Sequence, residues 1–186
     1  MGKLDGLERV TVKTRAELRG WLAANHSRQE GIWLVTYKKG EGKLHLPYEE
    51  VVEEALCFGW IDGQTRSLDG RRTMLLLTPR RPKSVWSRPN KERAERLIAN
   101  KLMRPEGLAK IERAKKDGSW DFLNDVDAQV IPEDLAAAFA ASAQARKVFD
   151  ALTVSVRRQL LYHLKCAKGA STREVRIARI LARCGA

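Results

Sequence analysis

The sequence predicts an α+β fold in which strands and helices come first and a helical region follows. Residues 31–39 are rich in β-branched and aromatic types and indicate a strand, and residues 60–66 and 71–78 flank a turn signal at Asp69-Gly70 and indicate a hairpin. Helical spacing of apolar residues surrounds these stretches, and residues 132–184 show helical patterns alone. We therefore expect an α+β domain over residues 1–125 and a helical segment over residues 126–186.

The first region has clear start and stop signals for its elements. Capping residues and prolines mark the helix starts, and Asp-Gly marks one hairpin turn. The predicted elements are, in chain order, a helix from the capping box Thr14–Glu17 to Asn25, a strand at 31–39, a turn into a short strand at 40–46, a helix from Pro47 to Gly59, a hairpin of 60–66 and 71–78, a helix from Asn90 to about Leu102, and a helix from Pro105 to Gly118. The second region is predicted as four helices, at 132–142, 142–152, 155–166 and 171–184.

Composition excludes several classes of protein. The chain has 186 residues, of which 44% are hydrophobic and 31% charged, which is typical of a globular protein. No apolar run approaches the roughly 20 residues of a membrane-spanning helix. Asp5 and Glu8 interrupt the region where an export signal needs an apolar stretch, so we expect a cytoplasmic protein. The three cysteines form no C-x-x-C pair, and no metal site, cofactor motif or catalytic motif is found.

Positive charge is concentrated in two parts of the chain. The formal net charge is +12. Residues 66–104 carry an excess of nine positive charges, and residues 146–186 carry an excess of eight. Such clusters are typical of proteins that bind nucleic acid or another polyanion, although a basic surface can also serve solubility alone.

The most distinctive basic segment, residues 79–97, lies ahead of and within a predicted helix. Free backbone N–H groups at a helix start favour an anion, and an aromatic face can stack on a base. The candidate phosphate-binding residues are Arg80, Arg81, Lys83, Ser84, Trp86, Ser87, Arg88 and Asn90. A second interpretation stays open, in which this is a solvated loop with Trp86 in the core.

The last predicted helix has a basic stripe opposite an apolar face. Four arginines fall within one arc of the helix and could lie along a phosphate backbone. They are Arg173, Arg176, Arg179 and Arg183. Alternatively, this helix bridges to the chain's own acidic residues, such as Asp125, Asp127, Glu133 and Asp134.

A third candidate region contains Cys57, Trp60 and Asp62 close together in sequence. A thiol can act as a nucleophile and a carboxylate as an acid or base, but no histidine stands in a recognisable pairing with the thiol. A buried structural cysteine is the alternative interpretation. A small-molecule enzyme or stress factor that uses this region is therefore the alternative function.

Several long motifs resemble one known family. They are LAANH with GIWLVTYKK at 22–39, LPYEEVVEEALCFGWIDG at 46–63, PRRPKSVWSRPNKERAERLI at 79–98, MRPEGLAKIERAKKDGSW at 103–120 and AKGASTREVRIARIL at 167–181. On these residues, the chain resembles the YdeI/OmpD-associated, or bacteriocin-protection, family over nearly its whole length. That family is similar to the YjbR/CyaY-like superfamily, which implies hairpins packed with helices and a DNA-binding role.

Charge and resemblance together lead to one expected function. We expect a non-catalytic cytoplasmic protein, associated with stress or bacteriocin protection, that binds nucleic acid or another phosphate-bearing polyanion. The rival partner is an acidic protein that meets the same basic surfaces. No metal, cofactor or membrane span is expected.

Overall fold

The computed structural model describes residues 4–185 and confirms the predicted α+β class. The chain forms two compact units, which divide between Asp121 and Phe122. The first contains a mixed β-sheet with helices, and the described part of the second is helical throughout its regular elements.

The first unit begins with a short strand and ends with two helices. Its elements are β1 (Arg9–Thr11), α1 (Arg15–Asn25), β2 (Ile32–Tyr37), a 3-10 helix (Lys39–Leu44), α2 (Tyr48–Cys57), β3 (Trp60–Ser67), β4 (Arg72–Pro79), α3 (Arg88–Ala99) and α4 (Pro105–Asp117). The capping box forms at the start of α1, where the Glu17 N–H donates to Thr14 Oγ1 at 3.1 Å. The Glu17 carboxylate in turn accepts from the Lys13 N–H at 2.8 Å.

The sheet has the strand order β1-β2-β4-β3 among the described residues. The predicted hairpin of β3 and β4 is confirmed, and β4 also pairs antiparallel with β2. The predicted strand at 40–46 is wrong, because this segment contains the 3-10 helix Lys39–Leu44. Both edges of β2 are occupied, by β1 in parallel and by β4, so no edge remains for a strand from that segment.

The main core lies on one face of the sheet. Leu34 from β2 and Leu77 from β4 pack there with Leu22 of α1, Leu56 of α2 and Leu97 of α3. All five side chains are buried, and their removal from water is the main stabilising term of this unit. The opposite face carries a smaller cluster in which Trp33, Val35 and Met74 are buried.

The later helices start and end close to their predicted positions. α3 begins at Arg88, two residues before the predicted cap Asn90, with Ser87 at the N-cap position. α4 ends at Asp117, and Gly118 follows in the left-handed region at φ 77°. Glycine adopts this conformation without the steric cost of a side chain, as the C-terminal stop signal predicted.

The second unit contains the remaining helices. They are α5 (Asn124–Asp127), α6 (Glu133–Ala140), α7 (Ala143–Ala151), α8 (Val154–Lys165) and α9 (Ala170–Arg183). Phe139 and Phe149 pack with ring centres 5.1 Å apart, and both are buried. None of the helices in residues 4–185 combines the length and the apolar character that a membrane crossing requires.

Candidate anion-binding site

The loop of residues 80–87, here called the Arg80 loop, connects β4 to α3 and is fixed at both ends by backbone hydrogen bonds. The Arg80 N–H donates to Gly59 O at 2.9 Å, at the start of β3. The Trp86 N–H donates to Ser119 O at 3.2 Å, just beyond α4. These bonds place the basic loop between the β3 end of the sheet and the C-terminal end of α4.

Arg80 is the unusual residue of this loop, because only 3% of its surface is exposed. Its guanidinium carbon lies 3.7 Å from the ring centre of Trp86. Its Nη1 donates to the carbonyl oxygens of Ser84 at 3.3 Å and Val85 at 3.2 Å. Its Nε and Nη2 are buried and have no hydrogen-bond acceptor within residues 4–185. A buried charge with unpaired donors is costly, so this arrangement calls for an additional partner.

Burial also acts on the ionisation of this side chain. Removal from water lowers the pKa of Arg80 to about 10, and the negative charge of Asp62 opposes that effect. The guanidinium therefore stays positively charged at neutral pH. No carboxylate of the described residues forms a salt bridge with this guanidinium, so no negative side chain within contact distance neutralises its charge.

A small cavity of about 10 Å³ adjoins Arg80. Its wall contains five cationic side chains and one carboxylate. The lining residues are Arg80, Arg81, Pro82, Lys83, Ser84, Trp86, Lys110, Arg113, Ala114, Asp117 and Ser119. The indole Nε1 of Trp86, which lines the same cavity, is also buried without an acceptor among the described residues. A volume of this size admits one water molecule or one oxygen atom of a larger anion.

Four of the cations form the rim of this cavity, and we call them the cationic rim. They are Arg81, Lys83, Lys110 and Arg113. None of them makes a salt bridge with a carboxylate in the part of the chain that the structure describes. Besides the hydrogen bonds of Ser119, the charge of Arg113 contributes to the lowered pKa of Asp117, and the charges of the other three cations are not among the causes of that shift.

The one carboxylate in the wall, Asp117, has its oxygens engaged. It accepts from the Ser119 hydroxyl at 2.6 Å, from the Ser119 N–H at 3.0 Å and from the Lys83 N–H at 3.1 Å. These hydrogen bonds, led by that of the Ser119 hydroxyl, lower the pKa of Asp117. Lys83 has a φ of 59°, which is uncommon for a residue other than glycine. Asp117 therefore shapes the loop and holds Lys83 at the rim.

The other predicted residues of the 79–97 segment have varied environments. Trp86 is 2% exposed and packs against Trp120 with ring centres 4.9 Å apart, so its ring is covered by protein on the side of Arg80. Arg88 is exposed and pairs with Glu92 at 2.8 Å. Asn90 is buried and accepts from Arg93. Trp86 therefore offers no open face on which a base could stack, and it lies in the main core, as the alternative interpretation of this segment held.

The predicted arginine stripe of α9 is partly neutralised within the second unit. Arg173 donates to Asp134 Oδ1 at 2.9 Å and to the Leu164 carbonyl at 3.2 Å. Arg176 donates to the His163 carbonyl. Arg179 and Arg183 are exposed and form no salt bridge among the described residues. The stripe therefore offers fewer available charges than the sequence suggested.

A cavity of about 290 Å³ adjoins this stripe. Leu160, His163, Arg176, Arg179 and Ile180 line it. The interpretation in which this helix bridges to the chain's own acidic residues holds for Arg173, which pairs with Asp134. Phosphate binding by the stripe stays a prediction.

In the alternative region, the Cys57 thiol and the Trp60 ring are closed to solvent. Cys57 and Trp60 are both 0% exposed, and burial raises the pKa of the Cys57 thiol. Asp62 is half-buried and accepts a hydrogen bond from the Tyr48 hydroxyl at 2.5 Å. No group of three or more potential metal ligands occurs in residues 4–185.

Sequence reasoning missed Lys110, Arg113 and Asp117, which α4 brings to the Arg80 loop. Lys110 and Arg113 are three positions apart and therefore share a helix face, which is a readable but common pattern. Nothing in the sequence links that face to a loop so much earlier in the chain. Only the packing of α4 beside the β4–α3 connection brings the cations together.

Two protein-family models match parts of the chain. The model described as "Domain of unknown function (DUF8412)" matches residues 10–110. The model described as "Bacteriocin-protection, YdeI or OmpD-Associated" (OmdA) matches residues 129–186, so the predicted resemblance is confirmed for that part only. Searches of curated proteins and of solved structures found no match. The chain therefore belongs to the DUF8412 family and carries, over residues 129–186, the OmdA domain of bacteriocin-protection proteins.

Proposed function

We propose that this protein binds nucleic acid through the phosphate backbone. In the first unit, the small cavity beside Arg80, here called the Arg80 cavity, receives a phosphate oxygen. The observation that carries the proposal is the buried, unpaired guanidinium of Arg80. A phosphate oxygen supplies both the negative charge and the acceptor that this group lacks. Charge-assisted hydrogen bonds of this kind are stronger than those between neutral groups.

The cationic rim supports a phosphate rather than a neutral ligand. Arg81, Lys83, Lys110 and Arg113 line the cavity together with Arg80, and Asp117 is the one acidic side chain among the described lining residues. Arginine and lysine are the residues that most often bind nucleic-acid phosphates. One phosphate oxygen would enter the cavity, and its other oxygens would face the rim.

The size of the cavity supports a polymer rather than a small metabolite. Pockets that enclose small molecules measure about 300–1,000 Å³, whereas this cavity has about 10 Å³. The bulk of any ligand must therefore lie on the surface, as a nucleic-acid backbone does. Adjacent phosphates can then meet the exposed cations Arg81 and Lys83.

The second unit offers further cations for phosphate in Arg179 and Arg183. Both are exposed and form no salt bridge among the described residues, whereas Arg173 is held by Asp134. On this proposal, Arg179→Ala or Arg183→Ala lowers the dependence of binding on salt. Removal of one phosphate-binding cation reduces the slope of log affinity against log salt by about 0.9 for duplex DNA. Arg173→Ala leaves that slope nearly unchanged.

The decisive experiment compares two double variants that remove the same charge. Binding of a labelled oligonucleotide, single-stranded and duplex, is measured by fluorescence anisotropy at several salt concentrations. Arg81→Ala with Arg113→Ala removes two cations of the rim. Arg9→Ala with Lys43→Ala removes two cations of the same unit that do not line the cavity. The second pair controls for the reduction in net charge.

The proposal expects the rim variant to lose about 1.8 units of salt slope on duplex DNA if each arginine binds one phosphate. The control variant keeps the slope of the unmodified protein. Absence of binding at low salt, or equal losses in both variants, would overturn the proposal. Displacement of the oligonucleotide by poly-glutamate at equal charge concentration would favour an acidic protein partner instead.

The finer features predicted from sequence stay predictions. They are the YjbR/CyaY-like resemblance, a role in stress response and a cytoplasmic location. A non-catalytic mode of action is part of this proposal, because binding of a phosphate backbone requires no covalent chemistry at the site.

A further inference from the structure

A second cavity, here called the sheet cavity, lies in the first unit and shares no residue with the Arg80 cavity. Its volume is about 340 Å³, which falls in the range of small-molecule pockets. The lining residues are Leu34, Thr36, Tyr37, Lys38, Lys39, His45, Leu46, Tyr48, Val51, Thr65, Thr73 and Leu75. They come from β2, β3, β4, the 3-10 helix and the start of α2.

The sheet cavity lies where the sheet extends beyond the apolar side chains of the main core. Leu34 and Leu75 belong to the core, but the next residues on the same face are threonines. Thr36 Oγ1 and Thr73 Oγ1 lie 3.4 Å apart on neighbouring strands. The β3–β4 register also shifts between Asp62 and Thr65. Bulges of this kind occur often beside binding sites, because they redirect side chains.

The floor and the rim of the sheet cavity differ in character. Leu34, Leu46, Val51 and Leu75 form an apolar floor. At the rim are Lys38, whose Nζ donates to the Asp69 carbonyl at 2.7 Å, and Lys39, which is exposed and has no salt bridge among the described residues.

Neither Lys38 nor Lys39 forms a salt bridge with a carboxylate of the described residues. No acidic side chain of the described residues lines the cavity. The hydroxyl of the lining residue Tyr48 donates a hydrogen bond to the carboxylate of Asp62 at 2.5 Å. His45 is oriented by a hydrogen bond of 2.8 Å between its Nδ1 and the Tyr37 carbonyl. The cavity therefore combines an apolar interior with a cationic entrance.

We infer that the sheet cavity binds a small organic carboxylate with a flat or compact apolar body. The apolar body packs against Leu34, Val51 and Leu75, and the carboxylate lies between the ammonium groups of Lys38 and Lys39. Threonine hydroxyls at the cavity wall can donate to a polar substituent of the ligand. A nucleic-acid backbone does not suit this site, because the floor offers no partner for phosphate.

The test uses 1-naphthoate as the probe and 1-naphthalenemethanol as its uncharged counterpart, with binding followed by calorimetry. Thr65→Trp fills the cavity from an exposed position on the edge strand β3, where an aromatic residue is well tolerated. Thr65→Val keeps the size of the side chain and is the matched control. We expect Thr65→Trp to weaken naphthoate binding more than about tenfold and Thr65→Val to leave it within about twofold.

A second pair of variants tests the charge of the entrance. Lys39→Glu should weaken naphthoate binding about fivefold and leave naphthalenemethanol binding unchanged. Lys43→Glu makes the same change in the same 3-10 helix at a residue that does not line the cavity, and should have little effect. Unaltered naphthoate binding in Thr65→Trp, or no saturable binding to the unmodified protein, would overturn the inference. Oligonucleotide binding is a separate readout, since the Arg80 cavity is intact in all four variants.

Discussion

The Arg80 guanidinium lies 3.7 Å from the ring centre of Trp86, and both residues are at least nine-tenths buried. The cation–π contact with the indole ring offsets about 2 kcal/mol of the cost of burying the charged guanidinium. No carboxylate of the described residues lies within salt-bridge distance of this guanidinium. The folded protein therefore carries a cation whose interactions are incomplete.

Inorganic phosphate should stabilise the folded protein through Arg80. A ligand that binds only the folded state adds about 2.7 kcal/mol when its concentration is one hundred times its Kd. We expect the melting temperature to rise with phosphate beyond its rise with potassium chloride at equal ionic strength. In Arg80→Met, which preserves an apolar stem over Trp86, this specific increase should vanish. Equal increases in both proteins would show that phosphate acts through general exclusion from the surface.

Tyr48 should ionise later than an ordinary tyrosine. Burial, followed by the hydrogen bond to Asp62 and the charge of Asp62, raises the pKa of Tyr48 to about 12. Because the pKa is raised in the folded state, the stabilisation is complete below pH 10 and is lost as the pH rises through about 12. Titration of tyrosinate absorbance measures this ionisation, and Asp62→Asn should lower the pKa. An unchanged titration in Asp62→Asn would contradict the role given to that carboxylate.

Glu54 should be a strong determinant of stability in the first unit. Its side chain is 2% exposed and accepts from Arg15 and Arg19 at 2.7 Å each. Removal of one partner from a buried ion pair costs about 3 kcal/mol or more, although these arginines can be partly rehydrated. We expect Glu54→Gln to lower the free energy of unfolding by about 2–3 kcal/mol.

The matched control for Glu54 is Glu95→Gln, on the exposed surface of α3, with an expected change below about 0.5 kcal/mol. Urea unfolding followed by tryptophan fluorescence suits this test, because all five tryptophans precede Phe122 and report on the first unit. Equal stabilities of the two variants would argue against the importance of the buried pairs.

Two glycines should respond to alanine in opposite directions. A Cβ at Gly107 would lie 2.5 Å from Cys57 O and 2.6 Å from Leu56 O, which are backbone atoms at the end of α2. Gly107→Ala should therefore cost about 2 kcal/mol or more. Gly20 lies within α1 with nothing within 4 Å of an added Cβ, so Gly20→Ala should stabilise by roughly 0.5–1 kcal/mol. Tolerance of alanine at Gly107 would show that α4 can move away from α2.

The fold could be predicted well from sequence wherever the signals were local. The capping box at Thr14, the proline at 105 and the glycine at 118 mark helix ends that the structure confirms. The turn signal at Asp69–Gly70 is also local, and the structure confirms the β3–β4 hairpin that it predicted. The strand expected at 40–46 was the exception, because the choice of a partner for β2 depends on β1 and β4, which are distant in sequence.

The candidate site was less accessible to sequence reasoning. Charge alone placed Arg80, Arg93 and Arg96 in one basic block, but their environments differ. Arg93 pairs with Glu49 of α2, and Arg96 pairs with Glu49 and Glu53 of the same helix. Arg80, in contrast, is buried and forms no salt bridge with a carboxylate of the described residues. Composition counts charges and cannot assign their partners, since ion pairs between helices depend on how the helices pack.

By itself, the sequence determined the α+β class, the positions of most helices, the β3–β4 hairpin and an excess of positive charge, because each rests on neighbouring residues or on composition. The tertiary structure alone decided which arginines keep an available charge. It also decided that Lys110 and Arg113 join the Arg80 loop and that the core leaves a cavity between Leu34 and Lys39. These features depend on interactions between segments far apart in the chain, and such interactions are fixed only when the apolar faces of helices and sheet pack together.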